Sequence, residues 1–195
     1  MASNKLLALL KRKPRDNYVE KTPEDVYTNI AEQQPDYTKE DIAKIGGMES
    51  EHGKYLENMA GGSPQGLFQF MPRTAEAIRP GSRDSLKDIN TQEELMNTYL
   101  TRNTNRIKGV QGESSIEDAY AYHNLGPATG KKFMTASDDA PLSSVLSANI
   151  IKSNPTLYGY KTVGEAKAAM KKLLQENGDT FNFQPDIQDL LKGEQ

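Results

Sequence analysis

Side chains that could do chemistry meet in the segment MESEHG, residues 48–53. Two carboxylates, Glu49 and Glu51, stand two residues apart, and His52 is one of only two histidines in the chain. Such a set allows three interpretations: a solvated helix end, a metal site, or the acid of a hydrolytic enzyme. The elements that surround the segment have to decide between them.

The composition is that of a polar protein with one sizeable core. The chain has 195 residues, of which 26% are charged and 35% hydrophobic, and its net charge of -3 gives no basic field for nucleic acid. The absence of cysteine excludes disulfides and thiolate metal sites, and two histidines do not favour a histidine-rich centre. We therefore expect no cofactor, no metal and no nucleic-acid partner.

The first residues, MASNKLLALLKRKPRD, lack the order of a secretory signal. Their apolar run is short, and the basic residues follow it instead of preceding it. No run approaches the ~20 apolar residues that span a bilayer. We therefore expect synthesis in the cytoplasm without a standard export signal, and no transmembrane segment.

Helix start signals recur along the middle of the chain. The spacing of a capping box occurs in four segments: Thr38-Lys-Glu-Asp41, Thr91-Gln-Glu-Glu94, Ser115-Ile-Glu-Asp118 and Thr162-Val-Gly-Glu165. Each is followed by apolar residues at helical spacing, whereas GLFQF is the best extended candidate. The pattern predicts a mainly α domain over residues 35–178, with a polar N-terminal arm over 1–34 and a C-terminal tail over 179–195.

The helix that begins after Thr38 is expected to turn Glu49 inward. Ile42, Ile45 and Glu49 lie at i, i+3 and i+7 on one face, whereas Glu51 is rotated by roughly 200° from Glu49 and should be solvated. A carboxyl at the end of an apolar stripe is partly desolvated, which raises its pKa as a general acid requires. Spacing alone also allows a glutamate that emerges into solvent.

Glycines flank this carboxylate on both sides. Gly46 and Gly47 cost about 1 kcal/mol each in a helix, which favours a close backbone approach there. A glycine-rich segment, residues 58–78, follows, and its Pro72 suits the first turn of a new helix. A turn of this kind lets backbone approach a ligand, and Gln69 could offer its amide to a sugar hydroxyl or N-acetyl group. GLFQF could equally be a buried strand.

Three motifs, in this order, resemble the lysozyme-like domain of soluble lytic transglycosylases and goose-type lysozymes. They are Glu49-Ser50, the run Ser63-Pro-Gln-Gly66-Leu-Phe-Gln-Phe70 with PRTA after it, and Ala121-Tyr-His-Asn-Leu-Gly-Pro127. The later NPTLYGYKTVGEA is similar to the closing segment of one branch. The similarity covers about residues 38–175, and it implies a mainly α, lysozyme-like fold with a substrate groove, to which the composition of the two ends adds polar terminal arms.

The resemblance also implies roles for individual residues. Glu49 matches the catalytic acid of the family. The substrate-binding residues that it implies are Ser50, Ser63, Gly66, Leu67, Gln69, Tyr122, His123 and Asn124. Among these, Gln69 and Tyr122 are expected to position the sugar, and a tyrosine hydroxyl bonded to Glu49 would orient its carboxyl.

The activity that the resemblance implies is that of a peptidoglycan lytic transglycosylase, in which one glutamate is both acid and base and the product carries a 1,6-anhydro ring. A hydrolytic lysozyme or endolysin stays open, with water held by Glu51, Glu57 or a later acid. A non-catalytic structural protein on the same fold also stays open. A metal site built from Glu49, Glu51, His52 and His123 would lack HExxH-like spacing.

A place of action follows from the expected substrate. Peptidoglycan lies outside the cytoplasm, and because we expect no export signal, the sequence favours a bacteriophage protein. The mild acidity favours a virion component over a free endolysin, since a free enzyme acting on an anionic wall benefits from positive charge. The terminal arms are expected to contact other virion proteins.

Overall fold

The computed structural model describes residues 21–57 and 64–181. Within these two ranges the chain forms nine α-helices, two short 3-10 turns and no β-strand. The helices are α1 Pro23–Gln33, α2 Lys39–Ser50, α3 Pro72–Ile78, α4 Ile89–Gln111, α5 Ile116–Leu125, α6 Pro127–Thr135, α7 Ala148–Ser153, α8 Pro155–Tyr158 and α9 Val163–Asp179, and the 3-10 turns are Arg83–Ser85 and Leu142–Ser144. The predicted mainly α fold is confirmed. None of the described helices is long and apolar enough to cross a membrane.

Local sequence signals account for most of the helix starts. The capping boxes predicted at Thr38, Ser115 and Thr162 form, and each hydroxyl accepts a hydrogen bond from the backbone N–H three residues on. The box predicted at Thr91 is wrong, because α4 begins one turn earlier with Asp88 as its N-cap and the Thr91 N–H donates to the Asp88 carboxylate. An aspartate caps a helix at least as well as a threonine, so the earlier residue sets the start.

The N-terminal arm predicted over residues 1–34 is wrong in its last part. Residues 23–33 form α1, which packs against α2 and α4. Its inward side chains are completely buried: Val26, Tyr27 and Ile30. Their spacing is helical, but the polar residues around them concealed this apolar face. Residues 1–20 and 182–195 lie outside the described part of the chain, so the remainder of both predicted arms stays a prediction.

The helix that carries Glu49 is held from several sides. α2 packs against α1, α5 and α9, and its inward residues Ile42 and Ile45 are fully buried, as the helical period predicted. A Cβ added to Gly46 would lie 2.1 Å from the Tyr27 hydroxyl oxygen, so no side chain fits between α1 and α2 at this point. The close backbone approach predicted from the glycine pair is confirmed.

The segment GLFQF, predicted as the best extended candidate, is a tight turn. The Gln65 N–H donates to the Phe70 carbonyl at 3.3 Å and joins the two ends of the turn. Gly66 has φ +85° and Gln69 has φ +49°, so the backbone reverses where a strand would continue. The apolar side chains of this turn enter the core: Leu67, Phe68 and Phe70. Their burial explains why the segment resembled a strand.

Candidate active site

An open cleft of about 800 Å³ lies across the C-terminal end of α2. Its lining comes from α2 and the residues after it, from the turn at residues 64–71, from the junction of α5 with α6, and from the ends of α7 and α9. The fold therefore brings together segments that are far apart in the sequence. Glu49 is one of the lining residues.

Glu49 is the shielded carboxyl group of this cleft. Its side chain is only 15% exposed, and burial raises its pKa from 4.5 to about 8. A hydrogen bond from the Tyr120 side chain opposes this rise without cancelling it. The carboxyl is therefore mostly protonated at neutral pH, and the predicted inward orientation of Glu49 is confirmed.

The tyrosine that bonds to Glu49 is Tyr120, whereas Tyr122, which was expected to position the sugar, does not line the cleft. Tyr122 is buried away from the cleft, and its backbone carbonyl accepts a hydrogen bond from the Tyr99 hydroxyl at 2.6 Å. Two residues along a helix rotate a side chain by roughly 200°, so the two tyrosines face opposite sides of α5. The helical period offered a signal that sequence reasoning missed, since Tyr120 lies at i–3 from His123 and shares its face.

His123 lines the cleft as a neutral side chain. Its Nε2 lies 2.9 Å from the Phe68 carbonyl, which can only accept, so Nε2 carries the hydrogen. The same nitrogen is 3.9 Å from Oε1 of Glu49, too far for a hydrogen bond. Burial lowers the pKa of His123 to about 4, so no ion pair forms with Glu49 at neutral pH. The ring also meets Phe70 and Tyr99 edge to face.

Asn124 presents one particular end of its amide to the cleft. Its side-chain oxygen accepts a hydrogen bond from the Tyr158 hydroxyl at 2.9 Å. Tyr158 is fully buried; burial is the main reason that its pKa is raised, and the charge of Glu49 adds to the rise. Within residues 21–57 and 64–181, nothing accepts a hydrogen bond from the amide nitrogen of Asn124. The amide nitrogen is thus free to donate to a ligand.

Three residues predicted to bind substrate build the wall of the cleft. The Ser50 hydroxyl donates to the Leu67 carbonyl at 2.7 Å and accepts from the Gly53 N–H at 2.8 Å. A Cβ on Gly66 would lie 2.2 Å from the Leu86 carbonyl oxygen, so glycine is required for packing at this position. Leu67 is a core residue, 2% exposed. These contacts give Ser50, Gly66 and Leu67 structural roles; Ser50 also lines the cleft, and the substrate contacts predicted for the three residues stay predictions.

Gln69 lines the cleft, as do Pro64, Phe70 and Met71 from the same turn. Its side-chain amide donates to the Gly66 carbonyl at 2.8 Å and to the Tyr55 carbonyl at 3.3 Å, which fixes the side chain in the turn. The predicted contact of Gln69 with substrate stays a prediction. Ser63, predicted to bind substrate as well, lies outside the described residues.

Two further carboxylates line the cleft, and both are exposed and paired. Glu51 is 57% exposed and lies 2.8 Å from Lys54. Glu57 is 75% exposed and pairs with Lys87, which lowers its pKa. The six residues between the two described ranges, NMAGGS, carry no carboxylate. Glu49 thus differs from both of these acids, because it alone is shielded from water.

The four residues of the metal interpretation, Glu49, Glu51, His52 and His123, do not come together around one point. His52 bonds through its ring to Tyr27 and to the backbone of Asn177, while Glu51 reaches toward Lys54. Across the described ranges, no three His, Asp or Glu side chains form a group that could hold a metal ion.

Comparison with known families agrees with this geometry. Residues 26–141, more than half of the chain, match the family model of the transglycosylase SLT domain. The match begins within α1, earlier than the resemblance predicted, and it ends before α7, α8 and α9. No curated protein matches the chain significantly. The chain therefore belongs to the transglycosylase SLT domain family, which has a lysozyme-like helical fold and lytic transglycosylase activity on peptidoglycan.

Proposed function

We propose that the protein cleaves the β-1,4 bond between N-acetylmuramic acid and N-acetylglucosamine, with Glu49 as its single acid and base. The observation that carries this proposal is the contrast between the cleft carboxylates. Glu49 is shielded, with a pKa of about 8, whereas Glu51 and Glu57 are exposed and paired with lysines. Membership of the family supports peptidoglycan as the substrate.

The first step is the transfer of a proton from Glu49 to the glycosidic oxygen. Neutral pH lies below the pKa of the Glu49 carboxyl, so the carboxyl holds this proton. As the bond from C1 to this oxygen breaks, positive charge develops at C1, and the N-acetyl carbonyl of the muramic residue stabilises it. The glutamate left behind is a desolvated anion and therefore a stronger base than a solvated one.

In the second step the Glu49 carboxylate takes the proton of the muramic C6 hydroxyl. The hydroxyl oxygen attacks C1 and closes the 1,6-anhydro ring, so no water is consumed and Glu49 regains its proton. A second carboxylate, which most glycoside hydrolases need, has no role in these two reaction steps. Tyr120 bonds to Glu49 in both steps and stabilises its charged form.

The remaining cleft residues hold the sugar in this scheme. Asn124 donates from its amide nitrogen, because Tyr158 occupies the amide oxygen. Gln69 and His123 border the same cleft from the turn and from α5. His123 is neutral at neutral pH and so contributes shape and hydrogen bonding without charge.

Replacing Glu49 with glutamine tests the proposal. Glutamine keeps the shape of the side chain but cannot exchange the proton, so clearing of purified peptidoglycan should fall by about 10²–10⁴-fold. Glu57→Gln is the matched variant, since it removes an exposed carboxylate from the same cleft and should clear normally. Equal clearing by Glu49→Gln and the unmodified protein would contradict the assignment. Loss of clearing in Glu57→Gln would favour a hydrolytic pair of carboxylates.

We infer further that the protein is a component of a bacteriophage virion that opens the wall during genome entry, with its terminal segments in contact with other virion proteins. The net charge of -3 supports this inference, because it provides no general attraction to an anionic wall. A virion that carries the protein to the cell wall would make electrostatic attraction to the wall unnecessary. Purified virions probed with an antibody against the protein should give a positive signal, and absence of the protein from the particles would contradict the inference.

A further inference from the structure

His52 of the MESEHG segment has no task in the proposed reaction. It lies in a run of three left-handed residues directly after α2, with φ +48° at Glu51, +59° at His52 and +87° at Gly53. Glycine adopts this conformation readily, but glutamate and histidine do so at a cost. Contacts from the surroundings therefore have to hold the chain here.

The His52 ring supplies such contacts to two helices at once. The Asn177 carbonyl oxygen can only accept and lies 3.0 Å from Nε2, so Nε2 carries the hydrogen. Nδ1 is then an acceptor, and the Tyr27 hydroxyl donates to it at 3.1 Å. The ring also packs against Phe181, with 4.6 Å between the ring centroids. One imidazole thus joins α1 and α9 at the end of α2.

The last turn of α2 packs closely against the Asn177 backbone and the His52 ring. A Cβ added to Gly47 would lie 2.6 Å from the Asn177 carbonyl oxygen and 2.9 Å from the His52 ring. The Asn177 side chain donates to the sulfur of Met48 at 3.3 Å and lines the cleft. Both neighbours of Glu49 on its N-terminal side, Gly47 and Met48, therefore touch the end of α9.

We propose that His52 is a positioning residue for the reaction, whose two ring nitrogens clamp the last turn of α2 between α1 and α9 and hold the Glu49 carboxyl in its shielded place. The inference rests on the proposed role of Glu49. Because α9 lies outside residues 26–141, half of this clamp comes from beyond the part of the chain that matches the family model.

Loss of the clamp would let water reach Glu49. Burial is the largest cause of its raised pKa, so hydration moves that pKa down toward 4.5. The titratable groups that face the two residues are Tyr120 and His123 from α5 and Tyr158 from α8 around Glu49, and Tyr27 from α1 and Glu51 around His52. Burial lowers the pKa of His52 below its ordinary value of 6.5, so the clamp is neutral around pH 8, where Glu49 titrates in the unmodified protein.

The test is the titration of the Glu49 carboxyl, followed by NMR in protein that carries carbon-13 at the glutamate side-chain carboxyls, with Glu49→Gln to identify the signal. His52→Asn keeps a residue that tolerates the left-handed backbone but cannot reach both partners. Tyr27→Phe removes one of the two hydrogen bonds and leaves the chain at position 52 unchanged. Ile107→Val is the control, because it trims a buried side chain of α4 outside the clamp.

We expect the midpoint of the Glu49 titration to fall by about one pH unit in His52→Asn, by less in Tyr27→Phe, and not at all in Ile107→Val. The alkaline limit of peptidoglycan clearing should fall in parallel. An unchanged midpoint of the Glu49 titration in both clamp variants would overturn the proposal. If His52→Asn does not fold, an unchanged midpoint in Tyr27→Phe overturns it. If the unmodified protein never clears peptidoglycan, the proposed function fails, whereas the NMR comparison still tests the clamp.

Discussion

Replacing Glu49 with glutamine should stabilise the folded protein by an amount that grows with pH. In the folded protein the pKa of Glu49 is about 8, well above its ordinary value of 4.5. Between these two values the folded state holds a proton that the unfolded state has released. The free energy of unfolding therefore falls as pH rises through this window, whereas below 4.5 both states are protonated and nothing is lost.

The size of the effect follows from the shift. Each pKa unit corresponds to about 1.36 kcal/mol, so a rise from 4.5 to about 8 amounts to at most about 5 kcal/mol. Glutamine does not ionise, so the free energy of unfolding of the variant does not fall in this way as pH rises. We expect Glu49→Gln to be more stable than the unmodified protein by about 3–5 kcal/mol at pH 8 and by almost nothing at pH 4.5.

Urea denaturation of both proteins across this pH range measures the difference directly. His123, whose pKa is lowered to about 4, is present in both proteins, so its contribution cancels in the comparison. Glu57→Gln is the control, because its carboxylate is 75% exposed and should give a difference that does not grow with pH. A constant difference between Glu49→Gln and the unmodified protein, or a loss of stability in the variant at pH 8, would refute the shielding of Glu49.

Two further substitutions test the surroundings of the acid. Tyr120→Phe removes a hydrogen bond that favours the charged form of Glu49, so the alkaline limit of peptidoglycan clearing should rise by about 0.5–1 pH unit in a pH–rate profile; an unmoved limit would contradict the contact. Gly66→Ala should lower the free energy of unfolding by about 2 kcal/mol or more in urea, because it combines φ +85° with a clash against Leu86. Gly109→Ala is its control, since a Cβ there meets nothing within 4 Å in the last turn of α4 and should be neutral or stabilising; equal losses in the two variants would contradict the account of the turn.

The orientation of Glu49 could be predicted because the period of a helix is a local property of the sequence. Ile42 and Ile45 fixed the buried face, and both side chains are fully buried. The same period placed Glu51 in solvent, where its side chain is 57% exposed. The capping box at Thr38 located the start of the helix, so the acid could be placed on it before any tertiary contact was known.

The partners of the acid could not be predicted in the same way, because they depend on packing between distant segments. The helical period places Tyr120 on the same face of α5 as His123, but whether that face meets Glu49 depends on how α5 is rotated against α2. Gly66 suggested a close approach, but only the fold shows that its neighbour is the Leu86 carbonyl and not a ligand. Ser50 likewise looked available until its hydroxyl was found to bond the turn beside it.

The most direct test of the central claim is the digestion of purified peptidoglycan in water enriched in heavy oxygen, with the products analysed by mass spectrometry. If Glu49 acts as both acid and base on the muramic C6 hydroxyl, the new ends carry a 1,6-anhydro ring and no oxygen from the solvent. Glu49→Gln should yield neither these ends nor any other new end above background. Reducing ends that contain heavy oxygen would show that water is the nucleophile, and they would contradict the single-glutamate transglycosylase mechanism.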